Sequence, residues 1–487
     1  MIYGILNLNY YVMRNTKIYT LSNKLWLVIT LLTFTFVVYG QKDSIMYRLD
    51  YTGLVSTGEH APFWLQSNRF GKISSDPFST NLGASLYKEI NNDNLFDYGF
   101  NADFLLRAGN LQGTEVYIQQ LYLQAKWWLF DLTLGAKEIT HGCHPSLLSS
   151  GNYLFSTNAR PMPRITAGIE DFTTVPFTKN LLEIKGALTH GWFADGIFAP
   201  GIFLHHKYLY ARLGGKLPVR LQVGLDHAAQ WGGKIPENGE QKFNFENYKT
   251  IFFGRSGGEG TNISEQINAL GNHIISEHIK LEFRLKPIDI NIYWQTVAED
   301  GPVRLLPWTA MNRKDGLWGI ALTNHQFPYI NEFVYEFFNT LDQSGPWHDK
   351  DGIVYGGRDS YFTNGIYQND WTHFGRTIGN PLILSPVFNK DGSYRIIYND
   401  VQAHHFGIQG EVKGFSYRLL GTFSKYYYDN KGPAYPNTSW FLEINRKFAG
   451  LGNTEVSLSF GGDTGKIPGN TSGLMFTVRK SGILFQP

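Results

Sequence analysis

The chain of 487 residues carries 43 basic and 41 acidic side chains, a near balance that argues against a general nucleic-acid binder. Its only cysteine, Cys143, excludes an intramolecular disulfide framework. Beyond the N-terminal region no run of about 18 apolar residues occurs, which excludes helical membrane spans.

The first element is the apolar run Leu25 to Val38 (LWLVITLLTFTFVV). Arg14, Lys17 and Lys24 precede it, Val38-Tyr39-Gly40 closes it on a small residue, and the polar Gln41-Lys42-Asp43 follows. This is the layout of a cleavable signal peptide over 1–40, too short for a comfortable transmembrane helix; a membrane anchor is the alternative. Counted from Met13, the leader has an ordinary length. Its removal takes away three bases and no acid, so the exported part, 41–487, has a net charge of −1. No lipoprotein cysteine follows it.

From Met46 onward the pattern has a period of two. Val219, Leu221, Val223 and Leu225 alternate with Arg220, Gln222, Gly224 and Asp226, and Ile279, Leu281, Phe283 and Leu285 with Lys280, Glu282, Arg284 and Lys286. Leu121 to Trp128 and Ile288 to Gln295 alternate in the same way. Each such strand is wet on one face and greasy on the other. Strands are expected near 46–57, 80–90, 97–108, 114–128, 129–138, 181–193, 206–214, 218–227, 277–286, 288–298, 316–323, 330–339, 402–413, 415–428, 439–448, 453–462 and 472–484, with a weaker candidate at 164–172. Long irregular stretches occupy 139–163, 228–276, 299–315 and 340–400, whereas Lys286-Pro287, Lys413-Gly414 and the step at Leu129 are tight turns. Only 261–275 has a helical pattern, with Ser264 as its expected N-cap.

Short turns at one end and long loops at the other, with 15% aromatic residues, predict an all-β fold: a large antiparallel transmembrane β-barrel of about 18 strands in the outer membrane. The charged rows then face a wet lumen, and Val219, Leu221, Val223 and Leu225 face lipid. A soluble fold would need the reverse. The aromatic richness equally suits a carbohydrate binder. Barrels of this kind often end on an aromatic residue read during insertion; here Phe485 stands two residues before Pro487.

Two passages are distinctive. One is Ala61-Pro62-Phe63-Trp64-Leu65-Gln66-Ser67-Asn68-Arg69-Phe70-Gly71; the other runs from Tyr361 to Leu382 (YFTNGIYQNDWTHFGRTIGNPL). With the leader and the strand pattern, they resemble the Wzi family of outer-membrane capsule-assembly proteins, in its Bacteroidetes-type form. The resemblance spans nearly the whole exported chain. It implies a monomeric, plugged 18-stranded barrel that needs no cofactor and holds capsular polysaccharide at the cell surface. Its other partners are outer-membrane lipid and the barrel-insertion machinery. Enterobacterial members carry a small helical bundle at the periplasmic end; the weak helical pattern here implies that it is absent or reduced.

The candidate polysaccharide-binding residues are Trp64, Gln66, Arg69, Arg358, Tyr361, Asn364, Tyr367, Asp370, Trp371, Arg376 and Asn380. Planar aromatics, amides and guanidinium groups suit sugar hydroxyls and carboxylates. The same residues also suit the packing of a long loop folded inward as a plug, and the sequence leaves both readings open.

Other constellations carry less. His141-Gly142-Cys143-His144 is too closely spaced for an ordinary zinc motif. His205-His206 and His404-His405 are neighbours on strands and point to opposite faces. His348-Asp349-Lys350-Asp351-Gly352 lacks the closing Glu of a calcium loop and reads as a solvated turn. Pairs such as Glu170-Asp171 and Glu299-Asp300 single out no glycosidase site. The chain is read as a binder, not an enzyme. A porin and a secreted carbohydrate-active enzyme are the alternatives.

Overall fold

A computed structural model describes residues 44–142, 144, 146–236, 239–241, 243–299, 314–343, 347–350, 353–356, 359–428 and 432–486, the segments 347–350 and 353–356 as backbone only. The leader expected over 1–40 and the candidate Arg358 lie outside the described residues. Alternation becomes strand along the whole chain: β1 (Ile45–Ser56), β2 (Phe78–Lys88), β3 (Phe96–Gly109), β4 (Gly113–Trp127), β5 (Phe130–Ala136), β6 (Pro163–Thr174), β7 (Leu182–Trp192), β8 (Phe203–Leu213) and β9 (Val219–Trp231). There follow β10 (Asn272–Leu285), β11 (Ile288–Gln295), β12 (Gly316–Asn324), β13 (Glu332–Asn339), β14 (Asp400–Val412), β15 (Phe415–Tyr427), β16 (Tyr435–Phe448), β17 (Thr454–Gly465) and β18 (Thr471–Phe485). Each pairs antiparallel with its neighbours, and β18 returns to β1, closing an 18-stranded barrel. Ala298–Glu299 adds a two-residue ladder against β10. Closure leaves no sheet edge exposed. The weak candidate at 164–172 is the full strand β6.

Val219, Leu221 and Val223 are 41%, 37% and 41% exposed, against 4% for Gln222 and 2% for Asp226. So β9 turns its apolar face outward, as lipid requires and water forbids. Trp294 and Trp318 stack across β11 and β12 at 4.9 Å on one rim, and exposed Phe96, Trp127, Trp128 and Phe130 lie at the other. Such girdles sit at membrane interfaces. The connections 89–95, 128–129, 175–181, 214–218, 286–287, 325–331, 413–414 and 449–453 all fall at one end. The long connections 57–77, 137–162, 232–271, 296–315 and 340–399 fall at the other, which is the extracellular end of an outer-membrane barrel.

The expected wet lumen holds only in part. Arg220 pairs inward with Glu282, and Lys280 lies 3.6 Å from the same carboxylate. Across the middle, however, the lumen is filled by an apolar core contributed by inward-folded loops: Phe63, Trp64 and Leu65 from 57–77, Tyr153, Leu154 and Phe155 from 137–162, and Tyr361, Phe362, Tyr367 and Trp371 from 340–399. Wall glycines make the room. Gly461 and Gly473 face each other across β17 and β18, and a Cβ on Gly461 would stand 3.0 Å from Leu65 Cγ.

The expected helix at 261–275 is shorter than its pattern. It covers Ile263–Ile267, and its cap is Asn262, which accepts from the Ser264 amide, not Ser264 itself. The Asn272–Ile275 part pairs with β9 instead, because strand pairing offers these residues more burial. A second helix, Phe245–Phe252, is capped by Asn244 and lacks a visible sequence signal. Its Tyr248 and Ile251 pack on Ala229 and Trp231 of the outer wall. Among the described residues the only helical piece at the short-turn end is the single 3-10 turn Ala449–Leu451.

A candidate polysaccharide site at the barrel mouth

The plug owes its shape to local hydrogen bonding. Asn364 Oδ1 accepts from the amides of Ile366 and Tyr367, and Asn380 Oδ1 from that of Leu382. These Asx turns reverse the loop within a few residues. Between them a two-stranded hairpin pairs Thr372 with Thr377 and His373 with Arg376. Its two-residue turn is Phe374-Gly375, with φ of 51° and 70°. Both values are left-handed, as a type I′ turn demands, and Gly375 accepts this freely. Phe374 does not, at a cost on the order of 1–3 kcal/mol. It is held there by its amide, which donates to Asp195 Oδ2 at 2.8 Å.

The sequence-predicted residues separate into two groups. Trp64 is buried, with Nε1 donating to Thr422 on β15 and its ring 4.9 Å from that of His405. Gln66 donates to Ala61 O. Tyr361 donates to Asp315, Tyr367 to Gln241, and Trp371 Nε1 to Leu154 O. Asp370 accepts from Arg395 and from the Ile396 amide, and Asn380 donates to Gly151 O. All seven are buried in the plug, so none offers an open ring face or amide to a polymer outside. Arg69, half-buried, faces the lower lumen, 3.5 Å from Glu443. Among the described candidates Arg376 lines an opening at the extracellular end.

That opening is a groove of about 400 Å³ lined by Arg107, Glu115, Arg160, Phe374, Arg376 and Tyr394, among others. Arg107 lies near the outer end of β3 and pairs with Glu115 of β4 at 2.8 Å. Arg160, from 137–162, is clamped between rings, 3.6 Å from the centroid of Tyr117 and 4.0 Å from that of Phe374. Arg376 donates to Ile73 O and Gln66 Oε1. Among the described residues neither Arg160 nor Arg376 has a carboxylate within ion-pair range. Burial pulls the Arg376 guanidinium down to about 10, the nearby Arg107 charge adding to the effect, and it stays protonated at neutral pH. Among the described residues the groove therefore carries three cations, one anion and several ring faces. Arg107, Arg160 and Tyr394 were invisible as a site because they lie on three distant segments, and no spacing rule joins them.

The histidines divide as alternation predicts. His205 faces the outer wall beside Tyr248 and Phe252, and His206 faces inward to Asp226. His404 stacks outside on Tyr335, while His405 bonds Thr422 within. His141 packs on Phe155 and His144 stacks on Tyr293, so the two ends of that motif part company. The 347–356 segment forms a hairpin whose turn, including Asp351 and Gly352, lies outside the described residues.

Residues 40–382 match the family model described as capsule assembly protein Wzi. The fold is similar to that of Wzi of Escherichia coli, an outer membrane protein involved in group 1 capsule assembly and described as a carbohydrate binding β-barrel. The two share 13% identity over 88% of this chain and 83% of that one, with a TM-score of 0.56. OccAB2 of Acinetobacter baumannii aligns over 91% of this chain and 98% of its own at 8% identity, TM-score 0.48. OccK5 (OpdH) of Pseudomonas aeruginosa aligns over 91% and 99% at 7% identity, TM-score 0.47. No curated protein sequence matches the chain. Since the family model spans well over half of its length, the chain belongs to the Wzi family of capsule assembly proteins.

Proposed function

We propose that this barrel binds an exported acidic polysaccharide at its extracellular mouth and holds it at the cell surface as part of capsule assembly. The observation that carries this reading is the groove between Arg107, Arg160 and Arg376, where two guanidinium groups have no carboxylate in ion-pair range among the described residues and ring faces flank them. Guanidinium forks suit uronate or other acidic sugar groups, and ring faces suit sugar C–H faces. In this reading Tyr361, Tyr367, Trp371 and Asn380 lock the plug that shapes the groove, and Arg160 and Arg376 make the contact.

The barrel acts by holding and not by turnover, so incubation leaves the polymer's length unchanged. Residues 1–40 are a leader lost on export, and the chain is inserted as a monomer by the barrel-insertion machinery. Cells carrying Arg160→Ala should shed polysaccharide into the medium while the purified variant keeps heat-modifiable migration. Full retention by that variant overturns the groove as the contact. A diffusion channel is the second reading, and single-channel conductance of the wild-type barrel in planar bilayers would favour it. The apolar plug supports the closed barrel instead.

A further inference from the structure

Below the plug lies a second cavity of about 320 Å³, separate from the mouth groove. Its walls include Asn68, Arg69, His141, Asn152, Phe155 and Arg418. It sits in the short-turn half of the lumen: Arg418 is in the first turn-proximal part of β15, and lining residue Leu147 is 71% exposed. The opening beside Leu147 therefore faces the periplasmic half.

The walls are under-satisfied. Asn68 Oδ1, Arg69 Nε, His141 Nε2, Asn152 Nδ2 and Arg418 Nε are each shielded from solvent without a hydrogen-bond partner among the described residues. Buried polar groups normally find partners, and an orphan costs about 1–3 kcal/mol. Five around one space mark a place where a ligand or ordered water completes the set. Three of the five are donors fixed by chemistry, so the missing partner is rich in acceptors. Charge points the same way. Glu443 is shared between Arg69 at 3.5 Å and Arg418 at 3.0 Å, which leaves one positive charge over. Phe70 and Phe155 supply ring surface, and Ser67, Ser149 and Thr157 supply hydroxyls. The volume is at the small end of the range for ligand pockets, roughly 300–1,000 Å³.

We infer that this cavity is a periplasm-facing subsite for a single acidic sugar unit, its carboxylate set between Arg69 and Arg418. The inference rests on the reading of the barrel as a binder of acidic polysaccharide, and it adds a contact on the opposite side of the plug from the mouth groove. The polymer end or a free unit meets the barrel before, or apart from, capture outside.

The test uses the full barrel with Cys143→Ser and Leu147→Cys, labelled at position 147 with an environment-sensitive fluorophore. Titration with glucuronate should give a saturable change, and glucose at the same concentrations should not. Arg418→Gln should raise the midpoint at least tenfold. Asn152→Asp keeps the acceptor that caps the Leu154 and Phe155 amides but removes the free donor, and should do the same. Heat-modifiable migration confirms folding, and if one variant misfolds the other decides. No saturable change in the parent, an equal response to glucose, or unchanged midpoints in a folded variant overturns the subsite. Polysaccharide retention by cells is scored separately and reads the mouth groove. Normal retention with a silent probe sinks the subsite alone.

Discussion

Arg376 donates through Nη2 to Gln66 Oε1 at 3.2 Å, across 310 positions of sequence. The same nitrogen donates to Ile73 O at 2.6 Å. The two distinctive passages of the chain are thus one physical unit, a pair of loops interlocked inside the barrel. The guanidinium joins them on one edge and borders the mouth groove on the other. A residue that locks the plug is here also a residue that charges the site.

Arg160→Gln removes a cation that two aromatic rings hold, with no ion-pair partner among the described residues. A hydrogen bond to a charged group contributes about 1.5–3 kcal/mol, so binding of an acidic polysaccharide should fall roughly 10- to 100-fold. Affinity retardation on the immobilised polymer checks this. Added salt should weaken the wild type more than the variant. Equal affinities across salt would exclude a role for this charge.

Trp371→Ala empties the centre of the plug, where the ring is fully buried and Nε1 bonds Leu154 O. Such truncations cost about 3–5 kcal/mol. That loss falls on loop packing, since the wall ladders do not involve Trp371. We expect ion conductance in planar bilayers together with intact heat-modifiable migration. A non-conducting, fully protected variant would show that the plug does not depend on this ring.

Asp315 is pushed up to about 6, burial outweighing the donors from Gln343, Asp342 and Tyr361. Its folded value lies above the ordinary carboxylate value, so its contribution to stability is full below about pH 4 and is lost as pH rises through about 6. Hydrogen exchange of the Gln343 and Tyr361 amides should therefore be slower at the acid end of that window, once corrected for intrinsic rates. Asp315→Asn should flatten the difference. A pH-independent wild type would contradict the assignment.

Gly461→Val places a side chain where Leu65 Cγ already stands 3.0 Å from the Cβ position. Valine suits a strand, so β17 should still form. The 57–77 loop cannot seat, and protease cleavage near Arg69 or Lys72 should become faster by at least tenfold. Unchanged protection would mean that the loop does not dock on this wall.

Much of the wall was legible because a strand's code is local. Val219 faces lipid and Asp226 faces inward for the same two-residue reason, and the tight turns at Lys286-Pro287 and Lys413-Gly414 set the neighbours in register. The helix Phe245–Phe252 was not legible, since its stability comes from Trp231 and Ala229 of a wall that the local pattern does not mention. The site was only half legible. The passage at Tyr361 to Leu382 stood out by composition, but whether its rings grip or pack depends on burial, which composition does not encode.

By itself, then, the sequence determined a closed, lipid-facing barrel with long loops at one end, because period-two alternation fixes which face of each strand meets which solvent. Only the tertiary structure decided that Trp371 and Tyr361 lie sealed in the plug while Arg107, Arg160 and Arg376 share one groove. Those three arginines come from a strand end and two separate loops, and only inward folding of the loops brings distant charges together.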